Sequence, residues 1–169
     1  MVGTIKVGKL QAADGTSNTI SMESGHIIKQ PGSVLQVVEF TEATDYSTTS
    51  GSYEQGPQTS TFNLIKSDSK VLVTANFLGL AVTSGSYNGG RFAIYRGSIA
   101  SGTKITSGSE PQLLSYSTEI WAWQTLQKLD TPGGNTTYSI GINKHSNASF
   151  CKIMGAYGNT VITMMEIAV

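Results

Sequence analysis

This chain has little charge. Asp, Glu, Lys and Arg make up 13% of its 169 residues, about half the usual share. Eleven acidic side chains balance eleven basic ones, so the formal net charge is zero. With no basic surplus to neutralise a phosphate backbone, non-specific nucleic-acid binding is excluded. The same balance gives little colloidal repulsion, so copies of the chain tend to associate. Cysteine occurs once, at Cys151, which excludes an intrachain disulfide. Its setting, Ser149-Phe150-Cys151-Lys152-Ile153, predicts a buried or interfacial thiol on a strand. No apolar run approaches the roughly 18–20 residues that cross a bilayer, so no membrane insertion by a helix is expected. The opening Met1-Val2-Gly3-Thr4-Ile5-Lys6 lacks the apolar stretch of a signal peptide, which leads us to expect synthesis in a cytoplasm.

Catalytic signatures are equally scarce. His26 and His145 are the two histidines, and with one cysteine on a third segment they fall short of a zinc ligand set. We expect no metal and no cofactor within one chain. No Gly-x-Ser-x-Gly elbow stands between a strand and a helix. A glycosidase needs two carboxylates held across a cleft. Here Glu39, Glu42, Asp45, Glu54, Asp68, Glu110, Glu119, Asp130 and Glu166 are scattered singly, as turn formers or solvated edge charges. Asn88-Gly89-Gly90-Arg91 has no following helix start with which to bind phosphate. These absences point away from an enzyme.

What fills the space is Ser and Thr, about a quarter of the positions, with 19 Gly. Apolar residues still reach 38% and gather in β-branched and aromatic runs, which argues against disorder. Residues 1–32 differ from the rest and predict a short β-hairpin arm. Thr4, Ile5, Val7 and Leu10 mark one alternating strand, Ile20 and Met22 a second, with Asp14-Gly15 as a turn signal between them. Such an arm is not stable alone and must pack on its own body, on a neighbour or on a larger particle.

Residues 33–169 carry eight to ten short strand patterns separated by turn signals, which predicts an all-β sandwich or jelly roll. Residues 34–40 are apolar on both faces, as a central strand would be. An aspartate at Val37 is therefore expected to abolish folding or oligomerisation. Residues 44–58 form a polar loop, and strands follow at 59–65, 69–80 and 91–96. Residues 117–128 are the one helix candidate. The alternation of Trp121 and Trp123, with Pro132-Gly133-Gly134 behind, favours strand. It sets Trp121, Trp123, Thr125, Gln127 and Leu129 on one face. Strands at 137–142, 149–154 and 160–169 complete the pattern, the last predicting a C-terminus buried in a sheet. Tyr46, Tyr53, Tyr87, Tyr116 and Tyr157 sit among Ser, Thr, Gly and Asn. Tyr46, Tyr53, Tyr87 and Tyr157 are candidate recognition residues, because rigid aromatics among small polar groups suit binding loops. Edge packing with the hydroxyl in water is the plainer alternative.

The stretch Gly3-Thr4-Ile5-Lys6-Val7-Gly8-Lys9-Leu10-Gln11-Ala12-Ala13-Asp14-Gly15-Thr16 resembles the opening of small virion structural proteins of tailed phages, marine ones especially. Residues 34–40, the segment Ser69-Lys70-Val71-Leu72-Val73 and the ending 160–169 are similar to their β-domains. The motifs are loose and compositional. The resemblance implies a jelly-roll-like antiparallel β-sandwich, usually a homotrimer, on the exterior of a phage particle. Two roles follow from it. One is a tail-fibre tip that binds a host cell-surface glycan or protein; the other is a capsid decoration protein that ties the shell. In both, residues 1–32 are the attachment arm to other virion proteins, namely a tail or major capsid protein.

Overall fold

A computed structural model describes residues 31–83, 88–106, 112–115, 119–145 and 148–169. Its strands are β1 (Val34–Glu42), β2 (Asp45–Thr48), β3 (Glu54–Gln58), β4 (Lys70–Thr83), β5 (Asn88–Arg96) and β6 (Thr103–Lys104). They continue with β7 (Gln112–Ser115), β8 (Glu119–Asp130), β9 (Tyr138–Lys144), β10 (Ala148–Met154) and β11 (Thr160–Ile167). Gly155–Tyr157, a single 3-10 turn, is the one helical segment among the described residues.

The long strand β4 organises the first sheet. On one side it takes β11 along its first half and β10 along its second. On the other side β8 runs its whole length. Strand β1 pairs with β11, and β2 with β10. So β1 with β2, and β10 with β11, behave as two long strands interrupted at the same level. The interruption is tight: a Cβ on Gly155 would lie 2.6 Å from the carbonyl carbon of Ala43. The Ala156 N–H donates to Asp45 Oδ1 across it at 2.9 Å. The second sheet runs β3–β9–β5, with β6 and β7 sharing the far side of β5.

Counted this way, each sheet is four strands wide and every ladder is antiparallel. The chain crosses from the first sheet to the second and back as it passes β2, β3, β4 and β5. It crosses again at β8, β9 and β10. That connectivity is a jelly-roll β-sandwich. Inward positions of both sheets fill the core, among them Val71, Val73, Ala75, Phe77, Phe92, Ile94, Tyr138, Ile140, Ile142, Cys151, Ile153, Ile162 and Met164. Full burial of one such large side chain contributes about 1.5–3 kcal/mol. Phe77 and Phe92 meet edge to face across the sheets at 4.8 Å. Cys151 is fully buried, as its strand setting predicts. Its Sγ occupies the space a Cβ on Gly90 would need. Burial pushes the thiol pKa up to about 12, outweighing a hydrogen bond from the Lys152 backbone.

Several expectations are corrected. Among the described residues strand β1 lies at the edge of its sheet, paired with β11 alone. Val37 is 54% exposed, so an aspartate there is not buried in the core of the sandwich. Residues 44–58 contain β2 and β3, because the polar side chains of this stretch face water or caps while its backbone pairs with β10 and β9. Residues 59–65 form only an isolated bridge, Phe62 to Thr136. Thr59 and Phe62 N–H still reach the Tyr138 and Thr136 carbonyls, but beyond the bridge the donors go to side chains: Leu64 N–H to Asn135 Oδ1, and Ile65 N–H and the next residue's, Lys66 N–H, to the Glu166 carboxylate.

Glu166 is therefore no edge charge. It is fully buried, and Gln36 Nε2 also donates to it at 2.6 Å. Burial pushes its pKa up, but the Ile65 N–H, the Gln36 amide and the Lys66 N–H together outweigh that and hold the carboxyl below its ordinary range. Asp130 is likewise buried, accepting from the Tyr138 hydroxyl at 3.1 Å. Arg96 lies 3.7 Å from Asp130 and donates to the Thr131 carbonyl. Inward-facing positions on β11 and β8, not the types of neighbouring residues, decide both cases. At the C-terminus Ala168 is buried but Val169 is 55% exposed, since the ladder ends with Ala168 and Ser33. The helix candidate is strand β8, as the tryptophan alternation favours. The arm residues Thr4, Ile5, Val7, Leu10, Ile20 and Met22 lie outside the described residues.

Candidate functional site

The outer face of the first sheet is where unexplained apolar surface collects. Cross-strand partners share a face, so the ladders place its side chains in rows. Val37 pairs with Met165, Met165 with Leu72, and Leu72 with Leu129. Together they make one apolar row across all four strands. The next rows are polar: Glu39, Thr163, Thr74 and Gln127, then Thr41, Val161, Asn76 and Thr125. Two cross-strand pairs between β4 and β8 are hydrogen-bonded. Gln127 Nε2 donates to Thr74 Oγ1 at 3.1 Å, and Thr125 Oγ1 to Asn76 Oδ1 at 2.7 Å.

Beyond the polar rows the face becomes aromatic. Trp123 stands opposite Leu78, and Trp121 opposite Leu80. Trp123 is 61% exposed and Tyr157 71%. Neither ring hangs loose. Trp121 meets Tyr157 edge to face, centroids 5.5 Å apart at 78°, and its indole N–H donates to Glu119 Oε1. Trp123 lies over the backbone of Gly158, where a Cβ would come within 2.6 Å of the indole Cη2. Lys152 faces Leu80 from β10 and sits 5.0 Å from the centroid of the Phe150 ring. The result is a preoriented aromatic platform with a carboxylate and an ammonium at its margin. Rings held this way bind with little loss of side-chain entropy.

The platform forms because the strand break delivers Tyr157 and Gly158 to the face of β8. A 3-10 turn between β10 and β11 lifts these residues out of the ladder, beside the two tryptophans. Its chemistry is that of a binding surface: apolar faces to stack on, and few ionisable groups. Among the described residues no group of three or more His, Cys, Asp and Glu could hold a metal ion.

The three described candidate tyrosines, Tyr46, Tyr53 and Tyr157, do not come together. Tyr157 belongs to the platform. Tyr46 is half-buried against the core, opposite Ile153 in the β2–β10 ladder. Burial, with the Glu42 charge behind it, raises its pKa. Tyr53 lies on the other sheet, edge to face with Tyr95 at 5.8 Å. Lys104 is 5.2 Å from the centroid of its ring. Tyr87 and Tyr116 fall outside the described residues. Tyr46 and Tyr53 each pack against neighbouring side chains of their own sheets. Trp121 and Trp123, which sequence reasoning placed on one face but did not single out for recognition, are the main constituents of the site. The signal was available in their alternation; what could not be read was which face of β8 meets water.

No protein-family profile matches this chain, and no curated protein matches it. Among solved structures it is similar to a chain of T=1 particles derived from infectious bursal disease virus. There the identity is 14%, the TM-score 0.41, and the match covers 89% of this chain and 40% of that one. It is also similar to VP2 of an infectious bursal disease virus subviral particle, at 13% identity and TM-score 0.42. That match covers 89% of this chain and 42% of the other. This chain thus spans about two-fifths of the viral chains it matches. The jelly-roll assignment rests on the strand ladders and not on these matches.

Proposed function

We propose that this chain is a non-enzymatic structural protein of a tailed-phage virion, carried on the particle exterior as a short tail-fibre tip that binds the host surface. The observation that supports this most is the polarity of the first sheet. The chain enters from residues 1–30 at one end, where Gly32 and Ser33 pair with Ala168. The aromatic platform lies at the other end of the same face, displaced from Leu72 to Leu80 along β4. Eight residues of strand span about 26 Å. A domain held by an arm at one end presents the tryptophans at the other. In this reading residues 1–32 attach to other virion proteins, residues 33–169 form the body, and copies associate as a homotrimer. Trp121, Trp123 and Tyr157 contact a host glycan or protein.

The test is binding of purified protein to host cells. The double variant Trp121→Ala with Trp123→Ala should bind at least tenfold less while its circular dichroism is unchanged. A protein lacking residues 2–30 should fold and still bind cells but no longer join the particle. Cell binding that survives loss of both tryptophans defeats the receptor role.

One observation favours a second reading, a capsid decoration protein. The apolar row Val37–Met165–Leu72–Leu129 lies beside the chain entry, where an arm reaching along a shell would tie neighbours. Copy number separates the two: tens per virion for a fibre tip, hundreds for a shell protein.

A further inference from the structure

The apolar end of the first sheet's outer face is uncovered at its margins. Val34, Val37 and Leu129 are 52%, 54% and 46% exposed, and Met165 and Leu72 link Val37 to Leu129 in one row. Val34 pairs with Ile167 at the corner. A contiguous apolar patch of this kind on a soluble domain marks a docking site.

We propose that residues 4–22 of the same chain, the N-terminal arm, lie across this patch. The chain arrives at its corner: Gly32 N–H donates to the Ala168 carbonyl at 2.8 Å, and Ala168 N–H to that of Ser33 at 2.9 Å. Pro31 precedes Gly32, whose φ is +84°, the Pro-Gly pairing of a type II turn. A turn of this type reverses chain direction at that corner. The length suffices. Residues 23–33 can extend about 36 Å at ~3.3 Å each, whereas four strands are only about 14 Å across. The chemistry also fits. Ile5 and Val7, and Ile20 with Met22, alternate with polar residues, giving a hairpin with an apolar face that cannot be stable unsupported. Tethering raises the effective concentration of the arm at its own patch to the millimolar range, which favours it over the arm of a neighbour.

The inference rests on the proposed function only in taking residues 1–30 as a β-hairpin arm, and it assigns the apolar face of that hairpin to the body, so that attachment to the virion falls to its other face. Cell binding through the tryptophans tests the rest of that reading, so either can fail without the other. The experiment is disulfide trapping in the full chain, pairing Leu129→Cys with Ile20→Cys or Met22→Cys. Thr103→Cys, on the second sheet, replaces Leu129→Cys as the control. Cys151 is buried and does not compete. We expect at least one Leu129 pair to close within a single chain at least tenfold faster than the control, at a rate unchanged by tenfold dilution. In parallel, Leu129→Lys should speed trypsin cleavage at Lys6 and Lys9 at least tenfold. Disulfide-linked dimers whose yield rises with concentration would mean that a second copy covers the patch, and would overturn the proposal. So would trapping no faster than the control, or cleavage unaffected by Leu129→Lys.

Discussion

The two sheets of this sandwich treat their outer faces in opposite ways. The second sheet is roofed by its own loops. Ser139 Oγ donates to the Gly97 carbonyl, Ile99 N–H to Gln55 Oε1, and Asn143 Nδ2 to the Gly51 carbonyl. Tyr53, Tyr95 and Ile99 close over Gly141, where a Cβ would lie 2.8 Å from the Tyr95 ring. As a result β9 is buried on both faces through all but its last residue. The first sheet has no such roof among the described residues. Its β8 alternates exposed and covered along its length, and two tryptophans stand on the exposed side. Among the described residues, then, loops cover the outer face of one sheet and leave that of the other open.

The largest expected effect concerns the joint between edge strand and core. Glu166→Ala strands the N–H groups of Ile65 and Lys66 and takes one of two acceptors from the Gln36 amide, which keeps the Asn63 carbonyl. It should destabilise the fold by about 3 kcal/mol in denaturant titration. A loss below about 1 kcal/mol would mean water replaces the carboxylate easily. Next, Gly141→Val should cost about 2 kcal/mol, because the roof must lift to admit the side chain. Unchanged stability there would remove the contrast between the faces.

A smaller effect should appear with pH. The Glu166 carboxyl titrates below its unfolded value. Its contribution is therefore complete above the ordinary carboxylate pKa and disappears as pH falls through the lower, folded one. Thermal melts between pH 6 and 3 should show wild type losing stability on acidification more steeply than Glu166→Gln. Parallel slopes would assign the acid sensitivity elsewhere. The smallest effect on stability is expected on the bare face. Trp123→Ala should shift unfolding by less than about 1 kcal/mol, since the ring is mostly in water, while reducing cell binding. A large loss of stability would make the indole a structural cover for Gly158 instead of a recognition element.

Much of the architecture was legible because period-two patterning is a local property. The segments that became β4, β5, β8 and β11 announce themselves by alternation and β-branched content. The buried thiol of Cys151 follows from the same logic. Residues 59–65 show where this stops. They have strand composition, but their donors are claimed by Asn135 and Glu166, 71 to 101 positions away in sequence. Nothing local distinguishes Glu166 from a surface charge. Residues 34–40 fail in the other direction, since an apolar strand at the margin of a sheet reads like one buried in a core.

By itself the sequence determined the class of fold, the lack of disulfide support and the weak case for acid–base chemistry. Composition and short-range periodicity act on each segment regardless of its neighbours. Tertiary structure alone decided which side of each strand meets water, that β1 lies at an edge, and that the turn at Gly155–Tyr157 sets Tyr157 and Gly158 beside Trp121 and Trp123. Those outcomes depend on pairings between segments far apart along the chain, and sheet register, unlike strand propensity, is settled only when both partners are in place.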